Sequence, residues 1–300
     1  MGPGLDVLGC AVTGAGDTVV AEWYDVPGIV VRDAGHPELP TDPALHSSAI
    51  AAAAVFRRAL GGTARPPAPG IALTVKKELP LSAGQGGSAA SAVAGAVAAH
   101  ALCSSPLTSD ALLEACLVAE ATVAGRHLDN LAPSLLGGIC LIRSMDPIDV
   151  VRLPVPDSLF IVLAHPSQRL RTADARAVLP GVVDRSVALH QAAQVGAIVA
   201  ALASGDLALL GRAIDDRIAE PARAPLIPGF REAKAAAITA GALGASISGA
   251  GPTTFALAAD AACAQAVAVA MEAAFAAQGI ASSVRVCDVD RVGARVEILE

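Results

Sequence analysis

Three segments of this chain combine residue types that handle phosphates and small polar molecules. The first is Pro80-Leu81-Ser82-Ala83-Gly84-Gln85-Gly86-Gly87-Ser88-Ala89-Ala90-Ser91, set between an apolar run at 71–75 and an Ala/Val-rich helical pattern at 88–102. Glycines let a backbone approach a phosphate with its N–H groups turned inward, and the free amides and dipole of a helix start favour negative charge. Ser88 and Ser91 add hydroxyls for a phosphate or a magnesium ion. A ligand-free Ala/Gly connector has the same composition. Gly84-x-Gly86-x-x-Ala89 also fits a loose dinucleotide pattern, but Ser104-Ser105-Pro106 and another helix follow it rather than a strand ending in an acid. No lysine follows the glycines, which excludes the P-loop motif.

The second segment is Arg126-His127-Leu128-Asp129-Asn130-Leu131-Ala132-Pro133-Ser134-Leu135-Leu136-Gly137-Gly138, a polar cluster running into an apolar strand. His127, Asp129 and Asn130 have the side chains to orient a small polar substrate, while Pro133 and the glycine pair shape a turn. Helix termination with Asn130 as a cap explains the same residues. Glu120, on the preceding helical stretch, is either a solvated helix charge or a carboxylate aimed at a metal. The third segment, Ser246-Ile247-Ser248-Gly249-Ala250-Gly251-Pro252-Thr253, is a glycine turn leading into a strand. Arg176 and Arg223 lie between the second and third; each is a surface charge or a planar fork for a carboxylate or phosphate.

These segments need a scaffold. Strand-type runs occur at 18–24, 29–32, 71–75, 139–142, 159–163, 253–257, 283–287 and 294–299, with hairpin-like pairs early in the chain. Helical patterns fill 47–60, 88–102, 110–124, 182–203, 206–217, 231–240 and 261–278. The irregular alternation predicts an α+β fold rather than a doubly wound sheet. The Pro-rich passage at 147–156 is the predicted lobe boundary, dividing the chain into 1–150 and 151–300.

A chain of 300 residues that is 54% hydrophobic and 16% charged folds around a large core, and with 2% aromatics that core is aliphatic. A net charge of −7 without a basic cluster argues against nucleic acid or an anionic membrane as partner. The start, Met1-Gly2-Pro3-Gly4-Leu5-Asp6, reads as neither a signal peptide nor a lipidation signal, and the apolar stretches at 88–103 and 192–203 fall short of a bilayer span. The six scattered cysteines form no C-x-x-C pair, so reduced thiols in a cytoplasmic protein are expected.

Taken together, the segments resemble the GHMP small-molecule kinases, and within them the homoserine kinase branch, in order along nearly the whole chain. Gly2-Pro3-Gly4-Leu5-Asp6-Val7-Leu8-Gly9 is similar to that family's N-terminal substrate motif, 80–91 to its phosphate loop and Ser248-Gly249-Ala250-Gly251-Pro252-Thr253 to its C-terminal glycine motif. His127-Leu128-Asp129-Asn130 with Ala132-Pro133 and Leu136-Gly137-Gly138, the segment 172–176, and Glu220-Pro221-x-Arg223 with Leu226-x-Pro228-Gly229-Phe230 mark the homoserine branch.

The resemblance implies a two-lobed α+β body, an N-terminal lobe like ribosomal protein S5 domain 2 and a ferredoxin-like C-terminal lobe with the nucleotide between them. It implies ATP-dependent phosphorylation of L-homoserine to O-phospho-L-homoserine, a step in threonine biosynthesis, with ATP and Mg2+ as cofactors. By the same resemblance Pro80, Ser82, Gly84, Gln85, Gly86, Gly87, Ser88, Ala89 and Ser91 bind the nucleotide, and Ser88 and Glu120 hold the metal. Asn130 acts with Glu120 and Ser88 in catalysis. Asp6 accepts the substrate ammonium, Arg176 and Arg223 take its carboxylate, and His127, Asn130 and Gly249 complete the substrate site. Other small alcohols such as mevalonate or a sugar, or a member that binds without turnover, are the alternatives; the former lack the ammonium that Asp6 would meet. A homodimer is the default expectation for such an enzyme.

Three departures stand out. The family loop usually reads G-L-G-S-S-A where this chain has Gly84-Gln85-Gly86-Gly87-Ser88-Ala89, and the Glu120-to-His127 spacing is about one residue short. The family's N-terminal motif, Ala-Asn-Leu-Gly-Pro-Gly, follows a strand. Here Met1 stands at its Leu position, so a form extended upstream is expected to be more soluble or more active.

Overall fold

The computed structural model describes residues 1–59, 69–103 and 106–299. Leu60, at the end of the first predicted helix, and Ser104-Ser105 lie outside the described residues.

The chain opens with a 3-10 turn at Gly2–Gly4 and runs through β1 (Leu8–Cys10), β2 (Thr18–Tyr24), β3 (Ile29–Asp33), α1 (Ser47–Ala59), β4 (Gly70–Lys76), α2 (Gly87–Leu102), α3 (Ser109–Val123) and α4 (Leu131–Leu136). It continues with β5 (Ile139–Met145), β6 (Ile148–Leu153), β7 (Phe160–Pro166), α5 (Thr172–Ala177), α6 (Arg185–Ser204), α7 (Leu207–Arg212) and α8 (Ala219–Arg223). After a second 3-10 turn at Ala224–Leu226 come α9 (Phe230–Thr239), β8 (Gly244–Ile247), β9 (Thr254–Ala258), α10 (Ala261–Ala277) and β10 (Ser282–Asp288). Helices and mainly antiparallel sheets together make an α+β fold.

Among the described residues the strands form three sheets, ordered β2-β4-β3, β1-β5-β6 and β10-β7-β9-β8. The third is antiparallel throughout, and its alternation is simple to read. Val162, Ala164, Ala256 and Ala258 face one way, into a core with α9 and α10. Ile161, Leu163, Phe255 and Leu257 face the other way, into a core with α6, α7, Leu8 and Ile139. Side chains that alternate across a strand let one sheet seal two cores. A third core, rich in alanine, packs α1, α2 and α3 over β3, β4 and β5. Its small side chains allow close helix approach, and Ser48 of α1 donates to the Ser91 carbonyl of α2 at 2.8 Å.

Several predicted elements differ. The early strands are not hairpins with each other: β2 pairs antiparallel and β3 parallel with the later β4. The Pro-rich passage at 147–156 contains β6, which pairs with β5, because its prolines flank a β-branched run and leave that run free to bond. Residues 294–299 form no strand; Val296, Ile298 and Leu299 are exposed and no neighbouring edge is paired with them. The helix predicted over 206–217 ends at Arg212, and Asp216 then accepts the N–H groups of Ile218, Ala219 and Glu220 at 2.8, 3.0 and 3.0 Å to start α8. Helix α6 has 20 residues and a mean hydropathy of 1.4, so by length and composition it is long and apolar enough to cross a membrane, contrary to the reading of 192–203 alone. Its Ile198, Ala201 and Leu202 lie in the core, and Gln191 bonds the Pro3 carbonyl and Asp216.

Candidate active site

The strongest local constraint around the cleft beside α2 is the turn that begins that helix. Ser82, Gly84 and Gly86 all have positive φ, at 54°, 72° and 70°. These left-handed steps fold the chain after β4 into a loop over the first turn of α2. Gly86 stands at its N-cap with no side-chain cap, leaving the opening amides of a 16-residue helix without a side-chain acceptor. Backbone contact demands glycine at 84, and the left-handed φ favours it at 86. A Cβ on Gly84 would meet the Ser248 carbonyl at 2.4 Å, and one on Gly86 would meet Asn130 Oδ1 at 3.2 Å. The first and third glycine segments therefore dock directly. Ser248 also donates its hydroxyl to the Gly84 carbonyl at 2.9 Å, and the Thr253 N–H reaches the Ala83 carbonyl at 3.2 Å.

Beneath the loop lies a buried ion pair, Lys77 with Asp17. Lys77 also donates to the Gly87 carbonyl at 2.7 Å and to Ser91 Oγ at 3.1 Å, while Ser91 donates to Asp17 at 2.6 Å. The other Asp17 oxygen accepts the N–H groups of Glu78 and Leu79, both at 3.2 Å. This network anchors the loop from below, and sequence reading missed both Asp17 and Lys77. Ser91 lines the cleft but is 3% exposed, and its hydroxyl bonds Asp17 and Lys77 in that network. Ala89 is wholly buried in the alanine-rich core. The Gln85 side chain turns away from the cleft to Thr253 and Arg285.

The cleft has a volume of about 690 Å3. It is lined by Pro80, Ser82, Gly84, Gly86, Gly87 and Ser88 of the loop and by Asp6, Glu120, His127, Asn130, Arg176, Arg223 and Gly249. Sequence positions scattered over both halves of the chain thus share one cavity. Ser88 donates to Glu120 Oε2 at 2.9 Å. Glu120 is 4% exposed, and burial, with the Asp129 charge adding to it against the Ser88 hydrogen bond, pushes its carboxyl up to about 7. It is therefore not a solvated helix charge. A hydroxyl beside a carboxylate is a hard-oxygen donor pair suited to Mg2+, which takes one or two protein oxygens and keeps the rest of its shell for phosphates and water. Among the described residues no cluster of three or more His, Cys, Asp or Glu side chains is placed to hold a metal unaided.

Further charged residues line the same cleft. Asp6, held at φ 61°, receives both terminal nitrogens of Arg176, at 2.8 and 3.2 Å. Burial raises the Asp6 carboxyl, but the Arg176 hydrogen bond and charge outweigh it and hold the group below its usual range. His127 Nδ1 lies 3.5 Å from the same carboxylate, and burial lowers the His127 pKa. Arg223 is 2% exposed; its Nε donates to the Ala175 carbonyl at 2.9 Å and its Nη1 to the Gly249 carbonyl at 2.8 Å. The expected division, Asp6 for an ammonium and Arg176 for a carboxylate, is modified here: the two neutralise each other, as opposite charges in a half-buried cleft do. Asp129 makes no ion pair among the described residues, and burial raises its pKa against the pull of the Met1 amine. It is 7% exposed, lines the cleft, and its Oδ1 accepts no hydrogen bond. Asn130 stands at the N-cap of α4 but makes no side-chain cap bond, leaving its amide for the cleft.

Two family models match the chain, the GHMP kinases N terminal domain over residues 47–138 and the GHMP kinases C terminal domain over 198–277. Homoserine kinase of Chlorobium phaeovibrioides is 41% identical over 304 residues, covering 98% of this chain and 94% of the relative. That of Arabidopsis thaliana is 41% identical over 267 residues, covering 86% of this chain and 70% of the relative. The crystal structure of homoserine kinase from Cytophaga hutchinsonii superposes with a TM-score of 0.91 at 40% identity, covering 97% of this chain and 92% of that one. Mevalonate kinase of L. major shares the fold at a TM-score of 0.65 and 20% identity, over 89% of this chain and 86% of the other.

Proposed function

The chain belongs to the GHMP kinases, and we infer that it is a small-molecule kinase that transfers a phosphoryl group from ATP to the hydroxyl of L-homoserine, giving O-phospho-L-homoserine for threonine biosynthesis. The observation that carries the reading is the set of groups lining one cleft, bare helix amides and the Ser88–Glu120 pair together with Asp6, Asp129, Arg176 and Arg223. The first group suits a polyphosphate and the second a zwitterion.

Residue roles follow from that layout. The amides opening α2 cradle phosphate oxygens. Ser88 and Glu120 would hold Mg2+, whose charge when bound offsets that of the phosphates. Asp6 and Asp129 face the substrate ammonium, and Arg176 and Arg223 its carboxylate, so opposite charges fix a four-carbon amino acid in one orientation. Asn130 and His127 hold the hydroxyl end toward the loop. Phosphoryl transfer through a loose transition state needs positioning and charge neutralisation more than a strong base. A carboxamide such as Asn130 suffices as a positioned donor. The lobes divide after β6, which keeps the β5–β6 hairpin whole, and the enzyme acts in the cytoplasm as a homodimer.

A coupled assay of ADP release over L-homoserine, mevalonate and a sugar tests the reading. Mg2+-dependent turnover with homoserine alone is expected. Turnover with another alcohol would replace the substrate, and nucleotide binding without turnover on any would make the chain a binding protein.

A further inference from the structure

Gln85 sits between the two left-handed glycines of the loop, and its side chain points out of the cleft, across to the antiparallel sheet of the C-terminal half. Both ends of its amide are bonded. Nε2 donates to Thr253 Oγ1 at 3.1 Å, and Oε1 accepts from Arg285 Nη2 at 2.8 Å. Thr253 Oγ1 is in turn 3.0 Å from His165 Nδ1. An arginine only donates, so the Gln85 oxygen must face it and the amide nitrogen must face Thr253. The Thr253 hydroxyl, with one hydrogen and two lone pairs, pairs with His165 Nδ1 in either tautomer of the ring. Burial lowers the His165 pKa and favours the neutral ring. The hydrogen bonds thus run from Arg285 through Gln85 to Thr253, with His165 beside the hydroxyl.

Sheet register brings these groups together. Arg285 of β10 lies opposite Leu163 of β7, and Ser283 lies opposite His165, so Arg285 and His165 share a face. Thr253 directly precedes β9, whose Thr254 pairs with Ala164, and so falls beside His165. Arg285 has no carboxylate partner among the ion pairs of the described residues, and its Nη1 is buried with no hydrogen bond. Its positive charge is therefore committed to the phosphate loop through one amide. A charge-assisted bond of this kind is about twice as strong as a neutral one, and a fixed cation behind a ring of inward amides raises the potential an anion meets there.

We propose that Arg285, acting through Gln85, is a positioning residue for nucleotide binding: it holds the phosphate loop against the C-terminal sheet and places a positive charge behind it. This rests on the loop being a nucleotide site. Thr253 is the second anchor, since its N–H holds Ala83 while its hydroxyl holds Gln85.

The test compares Arg285→Met, Gln85→Leu, the double variant and Arg285→Lys. For each, the Kd of a non-hydrolysable ATP analogue with Mg2+ is measured by calorimetry without acceptor, together with KM for each substrate and the melting temperature. Arg285→Met and Gln85→Leu should each raise the nucleotide Kd about 10-fold or more, the scale of one lost charge-assisted bond. KM for the acceptor should stay within about twofold, Arg285→Lys should recover most of the affinity, and the double variant should be no worse than the worse single one. Unchanged Kd in the single variants would overturn the proposal. So would a fall in melting temperature with nucleotide and acceptor affinities lost in equal proportion, which marks a strut without a positioning role. Because the Kd is read without acceptor, a different alcohol substrate would correct the functional reading and leave this comparison intact. Failure of the wild-type protein to bind the analogue would overturn both.

Discussion

Asp6 and Arg176, 170 positions apart in the chain, meet as a two-pronged ion pair, with Nη2 donating to Oδ1 at 2.8 Å and Nη1 to Oδ2 at 3.2 Å. The pair ties the N-terminal turn to α5 in the lining of the cleft, with His127 Nδ1 beside its carboxylate. It fixes one anion and one cation side by side where a zwitterion would bind. Asp6→Asn and Arg176→Met should therefore each raise KM for homoserine by about 10- to 100-fold, with KM for ATP little changed. Their double-mutant cycle should show strong coupling, and additive effects would separate the two residues.

Glu120→Gln tests the Ser88–Glu120 pair. The wild-type carboxyl titrates at about 7 against an ordinary 4.5, so the folded protein holds that proton more tightly than the unfolded chain. Its contribution to stability therefore falls as pH rises from about 4.5 to 7, by about 3 kcal/mol at most, and is flat beyond. Without Mg2+ the Gln variant should melt higher than wild type at pH 8 and equally at pH 4. Its Mg2+-dependent turnover should fall at least about 100-fold. A pH-independent difference in melting temperature would contradict the raised pKa.

Gly84→Ala should separate the two docked glycine turns. Its φ of +72° and the carbonyl of Ser248 at 2.4 Å leave no place for a methyl group. A loss of about 2 kcal/mol or more is expected, with a larger KM for ATP. Gly16→Ala is the control, because a Cβ there meets nothing within 4 Å and should be neutral or stabilising.

Arg223→Lys keeps the charge and loses the fork. An ammonium cannot reach both the Ala175 and the Gly249 carbonyls that Nε and Nη1 now hold. The variant should lose about 1–3 kcal/mol in denaturant unfolding and raise KM for homoserine about 10-fold. Wild-type values for both would return Arg223 to a passive role.

Much of this protein is written locally. Glycines with a forced left-handed φ, the apolar alternation at 18–24 and 71–75, and the long Ala-rich helices follow from chain sterics and short-range periodicity, so the loop and its flanking elements were legible residue by residue. The polar run from His127 to Asn130 stood out because a turn does not need so much chemistry. The α+β class followed from the same alternation.

What tertiary structure decided is which distant groups meet. β1, β6 and β8 sit among glycines and prolines that read as turns or linker, and exist because a neighbouring strand satisfies their backbone. The apolar run at 294–299 has the pattern of a strand but no paired edge, and it stays irregular. Asp17 and Lys77 under the loop, Asp6 on Arg176, and Gln85 between Thr253 and Arg285 are pairings over 60 to 200 residues. No local preference encodes such contacts. Each forms because burial removes water from a charge or an amide, and the only partner then within reach is one that the packed sheets and helices have brought there.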